Sequence, residues 1–374
     1  MTFHRVGAFA AIASACLALS PTSASAAKPW VMGYLPGYEQ ALYPVAKIDF
    51  SSLSHIAVGR YVPRADGSLD KSCDWDAAKC PAWAKSVGAK AHAAGKKAIL
   101  FLGGAGAHDG FAGAASSANR ARFVANVVKE VKALQFDGVD VDWEPVQVAD
   151  RANLVALLKD LHKARPAMTI TMPINWVNPN IGSGDFVWLK KAAPYLNQIN
   201  LMTYGMDGSD WGWTQTWHSS ALKGATPERP SSVTGSVDAI LALGIPAAKL
   251  GIGMGFYGQC WTGGVTAPRQ DASEATIAGD DGKMSYAAIM GSYYKAANYH
   301  FDSQAGASYL GSAAGLGPLG CTYISYEDPK SIAAKVAYVK SKSLGGAIIW
   351  TISQGYQAKQ NANPPLTAAG KLLK

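Results

Sequence analysis

Long apolar runs are scarce in this chain. Past Leu19 none approaches the roughly 20 residues that a membrane-spanning helix needs, so no membrane partner is expected. Charge is thin as well: 16% of the residues are Asp, Glu, Lys or Arg, and the net +8 is spread without a Lys/Arg cluster. Nucleic-acid recognition wants a concentrated basic face, so it is not expected, and the charge reads as solubility with mild surface attraction. Cysteine is sparse at 5, and the 7 histidines are scattered without a close cysteine neighbour, which leaves no zinc-type spacing and no metal to expect. No Pro/Thr-rich or Gly/Ser-rich linker divides the 374 residues, so they read as one domain. No Gly-rich phosphate fingerprint follows the first apolar run, which argues against a doubly wound nucleotide-binding sheet.

The first 26 residues carry the marks of a secretory leader. Arg5 supplies the positive end, Val6 to Leu19 a short apolar run, and Ala24-Ser25-Ala26 a small-residue cleavage site. The mature chain, residues 27–374, is then expected to be exported and to act as a monomer. Cys16 leaves with the leader, and Cys73, Cys80, Cys260 and Cys321 remain. An even set in an exported chain predicts two disulfides out of three possible connectivities. The favoured pairing is Cys73–Cys80, a short staple, with Cys260–Cys321 closing a long insertion.

Apolar, β-branched runs alternate with helical patterns along the chain. Strands are predicted near 30–35, 55–61, 97–104, 136–144, 168–173, 198–203, 250–256 and 346–351. Helices are predicted over 81–94, 117–134, 151–164, 232–243, 331–342 and 365–373. This alternation predicts a (β/α)8 TIM barrel, whose active sites gather at the C-terminal ends of the strands. The 260–321 stretch is too long for a loop and is expected to form a small subdomain inserted after the seventh strand.

The chemistry concentrates in Phe136-Asp137-Gly138-Val139-Asp140-Val141-Asp142-Trp143-Glu144-Pro145. In a strand, side chains alternate faces, so Asp140, Asp142 and Glu144 point one way and Val139, Val141 and Trp143 the other. Burying carboxylates on one face is costly unless they share protons, find partners or do chemistry. A calcium loop needs a Gly near its sixth position and polar residues between its ligands, and both are missing.

The stretch resembles the DxxDxDxE signature of glycoside hydrolase family 18, the chitinases and their relatives, with Asp137, Asp140, Asp142 and Glu144 in its acidic places. Further motifs along the chain are similar to that family: KAILFLGG at 97–104, Ile199 to Tyr204, KLGIGMGFYG at 249–258, and Gly345 to Trp350. The resemblance implies that Glu144, at the end of the fourth strand, is the proton donor. It also implies that Asp142 orients the substrate's 2-acetamido group, that Asp140 shares a proton with Asp142, and that the Tyr204 hydroxyl holds the acetamido oxygen. Trp350 becomes the floor under the reacting sugar, and Met202, Tyr34 and Asp137 join the sugar site. The chain departs from the pattern twice. Phe101 replaces a serine in the third-strand motif, and Gly205 replaces the aspartate after Tyr204, which makes Asp207 the nearest candidate for that role.

The family uses the substrate's own acetamido carbonyl instead of a second carboxylate, so the implied reaction is retaining and needs no cofactor. The expected substrate is chitin or N-acetylglucosamine oligosaccharides. An endo-β-N-acetylglucosaminidase on glycans or cell-wall sugars shares the motif and stays open. So does a non-catalytic lectin on the same barrel, although such proteins typically lose the donor Glu. Trp176, Trp211, Trp213, Trp217 and Trp261 fall in predicted loops and are candidates for a sugar groove, with Trp211 preferred and several of the others expected to pack beneath their own loops.

Overall fold

A computed structural model describes residues 1, 2, 4, 29–178, 180, 183–208 and 212–374. Apart from residues 1, 2 and 4, the leader lies outside the described residues, and so does Trp211. Eight parallel strands form a closed ring: β1 (Trp30–Pro36), β2 (His55–Pro63), β3 (Lys97–Gly104), β4 (Gly138–Trp143), β5 (Thr169–Asn175), β6 (Gln198–Met202), β7 (Leu250–Gly255) and β8 (Gly346–Trp350). Each pairs with the next, and β8 closes onto β1 through Trp30–Gly346 to Gly33–Ile349. All seven residues of β1 are buried, as parallel strands covered on both faces require.

Helices over Cys80–Ala93, Arg120–Ala133, Arg151–Ala164, Val233–Ala242 and Pro329–Ser341 pack outside this ring. In Arg151–Ala164 the buried residues are Leu154, Leu157, Leu158 and Leu161, one stripe at helical spacing. Each of those leucines removes enough apolar surface from water to contribute about 2 kcal/mol. Pro329 fixes the first turn of its helix, while the Asp328 carboxylate caps the backbone N–H groups of Lys330 and Ser331 at 2.9 and 2.8 Å. The predicted strands and helices are found with ends shifted by a few residues at most.

The segment after β7 folds as a separate antiparallel sheet. Its strands are Gly258–Thr262, Thr276–Gly279, Tyr299–Asp302, Ala307–Leu316 and Cys321–Tyr326, with Gly258–Thr262 paired to both Thr276–Gly279 and Cys321–Tyr326. The Cys260–Cys321 disulfide ties two neighbouring strands over a core of Met284, Ile289, Leu310 and Ile324. The Cys73–Cys80 disulfide staples the loop after β2.

Candidate active site

Strand alternation divides the acidic stretch. Val139, Val141 and Trp143 join the main core between ring and helices. Asp140 and Asp142 point into the ring, where both are buried. Asp140 is held on two sides: its Oδ2 accepts from the Tyr34 hydroxyl at 2.7 Å, and its Oδ1 accepts from the Thr171 hydroxyl. Burial pushes the Asp140 carboxyl up to about 6, with those two hydrogen bonds pulling against it and the Glu144 charge pushing further. Asp142 is raised as well, by burial first and then by the charges of Glu144 and Asp140. Burial also raises Glu144, opposed by its hydrogen bond with Asp142 and by the positive charge of Arg60. The three acids therefore hold protons into a pH range where free carboxylates have lost them.

Glu144 follows the last residue of β4 and so stands at the rim of the ring. It lines a cavity of about 130 Å³ together with Trp143, Asn175, Trp188 and Met202. Arg60 is near enough for its charge to act on Glu144, and it donates to the carbonyls of Gly103 at 3.0 Å and Ala105 at 2.8 Å. Gly103 is the register partner of Asp142, which sets the guanidinium beside the acidic strand.

Tyr34, Phe101, Met202, Tyr204 and Trp350 share one aromatic cluster inside the ring. Phe101 meets Tyr34 edge-on at 5.2 Å and Trp350 at 5.9 Å. The hydroxyl missing from the third-strand motif is supplied to Asp140 from β5 by Thr171 instead. The Trp350 indole N–H donates to Asp281 at 2.7 Å, and Gln354 bridges Asp281 at 2.5 Å to the buried Glu39 at 3.1 Å. Burial and the nearby charge of Glu144 keep the Tyr204 phenol well above its usual range, so it remains a donor.

Gly205 has φ +59, and a Cβ there would come within 3.1 Å of the Tyr257 hydroxyl. The chain thus turns where the motif has its aspartate, and the carboxylate arrives two residues later. Asp207 is buried, accepts from the Trp261 indole at 3.2 Å, and takes the Gln259 amide with its nitrogen turned inward. Burial pushes it up to about 8, the indole hydrogen bond opposing. It lines a cavity of about 500 Å³ with Tyr257, Gln259, Asp280 and Asp281.

One expected sugar-site residue lies elsewhere. Asp137 precedes β4 and accepts from the Ala98 N–H and from His92, both at 2.8 Å, at the N-terminal end of the ring. Three residues of strand before Asp140 place it roughly 10 Å below that residue and further still from the rim. Its role is to tie β3 to the helix that carries His92.

The loop tryptophans also divide. Trp213, Trp217 and Trp261 are buried, so they form no groove wall. Trp217 donates to the Ser231 carbonyl at 2.9 Å and is flanked by the guanidinium groups of Arg229 and Arg269 at 4.9 and 5.1 Å. Trp176 packs edge-on against Trp213 at 5.6 Å.

Residues 31–355 match the family model for glycosyl hydrolases family 18. The chain belongs to that family. Among curated relatives it is 31% identical over 264 residues to a probable endochitinase of Caenorhabditis elegans, covering 64% of this chain and 40% of that one. It is 30% identical over 287 residues to endochitinase 1 of Metarhizium robertsii, covering 70% and 62% respectively. The chain therefore spans about half the length of these relatives. The crystal structure of the Ostrinia furnacalis group IV chitinase in complex with allosamidin superposes with a TM-score of 0.76 at 21% identity, covering 92% of this chain and 98% of that one, which is a likeness of fold.

Sequence reasoning missed Thr171, Arg60, Asp281, Gln354 and Glu39. For Thr171 a signal existed in the alternation of β5, which turns it toward the ring interior. The others come from separate segments that only the folded chain joins.

Proposed function

We propose that this family 18 hydrolase is an exported chitinase that cleaves β-1,4 links between N-acetylglucosamine units with retention of configuration. The observation that carries this reading is the ladder of Asp140, Asp142 and Glu144 on one strand, with only Glu144 at the rim and facing a cavity. A glycosidase needs a proton for the leaving oxygen and a counterpart for the positive charge at the anomeric carbon. Glu144, kept protonated by burial, supplies the proton and later activates water. Asp142 is buried beneath Glu144 on the same strand, too enclosed to attack the sugar from its opposite face. The charge is then met by the substrate's own acetamido oxygen, held by the Tyr204 hydroxyl.

Asp142 turns to the acetamido N–H and passes its proton to Asp140, so the pair carries one proton between them. Trp350 stacks under the apolar face of the reacting sugar, and Met202 lines the side where the leaving sugar rests. The names of the curated relatives support chitin as substrate. Two disulfides fit the oxidising compartments that an exported protein meets.

The test compares wild type with Glu144→Gln on N-acetylglucosamine oligomers, on their deacetylated counterparts and on a glycoprotein, with the product anomer read by NMR. Loss of a positioned general acid lowers kcat by about 10²- to 10⁴-fold. Inverted product, or equal rates on deacetylated oligomers, refutes the chemistry. Cleavage of the glycoprotein in preference to the oligomers moves the substrate to protein-linked glycans.

A further inference from the structure

Behind the strand that leads to Tyr204, a lysine lies where helix packing calls for an apolar side chain. The helix Pro329–Ser341 buries Ser331, Ile332, Lys335, Val336 and Val339 in one stripe, and Lys335 is fully enclosed there. Its ammonium pairs with the buried Glu327, whose other oxygen accepts from the Ser331 hydroxyl at 2.6 Å. Withdrawing two charges from water is expensive, and apolar residues of equal volume often stabilise a fold as well or better. Packing alone therefore does not call for this pair, and the ammonium's remaining partner decides its use.

That partner is Ser220. Lys335 Nζ donates to the Ser220 hydroxyl at 2.6 Å, and the hydroxyl donates onward to the Thr203 carbonyl at 2.5 Å. Thr203 directly precedes Tyr204. Ser219 holds the other side of the turn: its hydroxyl accepts from the Gly205 N–H at 3.3 Å, and its carbonyl from the Met206 N–H at 2.9 Å. The Thr203 hydroxyl meets the N–H and carbonyl of Gly253 on β7 at 2.9 and 3.0 Å. Gly253 has no room for a side chain, because the Tyr204 ring packs directly on it. Two adjacent serines thus clamp the backbone on both sides of Tyr204. They are themselves held by Lys335 and by the Ser325 hydroxyl, which accepts from the Ser219 N–H at 2.9 Å.

We propose that Lys335 is a positioning residue for the reaction: paired with Glu327, it anchors Ser220, and through Ser220 the peptide that places the Tyr204 hydroxyl. The proposal rests on the reading of Tyr204 given above, as the donor to the acetamido oxygen. That oxygen forms its bond to the anomeric carbon as the leaving sugar departs, so the placement of its donor counts most in the transition state. An ammonium has three protons and serves Glu327 and Ser220 together. The ion pair keeps it from turning away, and an apolar side chain of the same length fills the space without directing the Ser220 hydroxyl at Thr203. Glu327 and Ser325 lie at the end of the inserted sheet, so the same contacts brace the Tyr204 turn against that sheet.

The test measures kcat and KM on a chromogenic N-acetylglucosamine oligomer for Ser220→Ala, Ser220→Thr and the paired change Lys335→Met with Glu327→Gln. Ser220→Ala and the paired change are each expected to lower kcat by about 10- to 100-fold, the scale of a 1 Å misplacement, with KM within about twofold. Ser220→Thr keeps the hydroxyl and is expected to retain most of the rate. In a Tyr204→Phe background, Ser220→Ala is expected to add less than about twofold, since the group it positions is gone. Unchanged kcat in Ser220→Ala overturns the proposal, and so does an equal fall with and without the Tyr204 hydroxyl, which is the mark of a general structural role. If the paired variant does not fold, Ser220→Ala decides. If wild type cleaves nothing, or Tyr204→Phe leaves kcat unchanged, the functional reading fails, and a crystal structure of Ser220→Ala then decides the anchor. A Tyr204 hydroxyl displaced by more than about 0.5 Å upholds it, and an unmoved one refutes it.

Discussion

Replacing Tyr34 by Phe removes a single oxygen from the ring interior and keeps the aromatic packing. Tyr34 is 1% exposed, and its ring contacts with Phe101 at 5.2 Å and Trp350 at 5.6 Å do not involve the hydroxyl. What is lost is the 2.7 Å hydrogen bond to Asp140. A hydrogen bond to a charged group contributes about 1.5–3 kcal/mol, and each pH unit corresponds to about 1.4 kcal/mol. Removing the donor destabilises the ionised form of Asp140, so its titration moves upward from about 6 by roughly one to two units. The proposed mechanism needs one proton on the Asp140–Asp142 pair, because a doubly protonated pair has no charge left to stabilise an oxazolinium ion. The acid limb of kcat against pH is therefore expected to move to higher pH by that amount in Tyr34→Phe, while the rate near pH 8 stays within a few-fold of wild type. Steady-state rates on a chromogenic N-acetylglucosamine oligomer between pH 4 and 9 measure it. A limb that stays in place, or a uniform drop at every pH, refutes the claim that this hydroxyl sets the protonation of the pair.

Two further outcomes follow from the same charges. Arg60 is a cation whose charge acts on Glu144, so Arg60→Gln lets the proposed proton donor keep its proton to higher pH, and the alkaline limb is expected to rise by about half to one unit at low salt; a limb that falls or stays put contradicts the assigned neighbourhood. Asp207, pushed up to about 8 by burial, binds a proton in the folded state that the unfolded chain releases near its ordinary value of about 4. Its contribution to stability is complete below that value and is lost as pH rises through the folded one, at about 1.4 kcal/mol per unit. Urea unfolding at pH 5 and pH 8 is expected to show a smaller decline for Asp207→Asn than for wild type, and parallel declines would remove Asp207 as the cause.

The sequence discloses those parts of the molecule whose causes are local. A buried parallel strand needs a continuous apolar run, and β1, β3 and β7 are such runs. Period two along β4 sorted its acids from its aliphatic residues, because that sorting depends only on the strand being extended. The place that the family resemblance implies for Asp137 is the one that failed. A signature records which residues recur together, and it does not record that a strand carries its first and last members to opposite ends of a ring. For Trp213 and Trp217, after β6, the sequence leaves open a groove wall or packing beneath their own loops, and the structure buries both. Their burial depends on a sheet inserted after β7, and Trp217 owes its surroundings to Arg229 and Ser231 on one other stretch and to Arg269 on a second.

The two departures from the family motifs become intelligible once neighbours across strands are counted. Phe101 gives up a hydroxyl on β3, and Thr171 on β5 returns one to the same carboxylate, so the hydrogen-bonding need of Asp140 is conserved while its source moves across the ring. Gly205 yields to the Tyr257 hydroxyl, and the displaced acid reappears at Asp207 against Trp261. In both places a buried acid remains and the donor set around it is rebuilt. The cost of leaving a buried carboxylate without partners, several kcal/mol, is therefore the quantity that the substitutions respect. By that logic Thr171→Val and Tyr34→Phe together should cost more than the sum of the two alone, since the second loss leaves Asp140 without either of its hydroxyl donors.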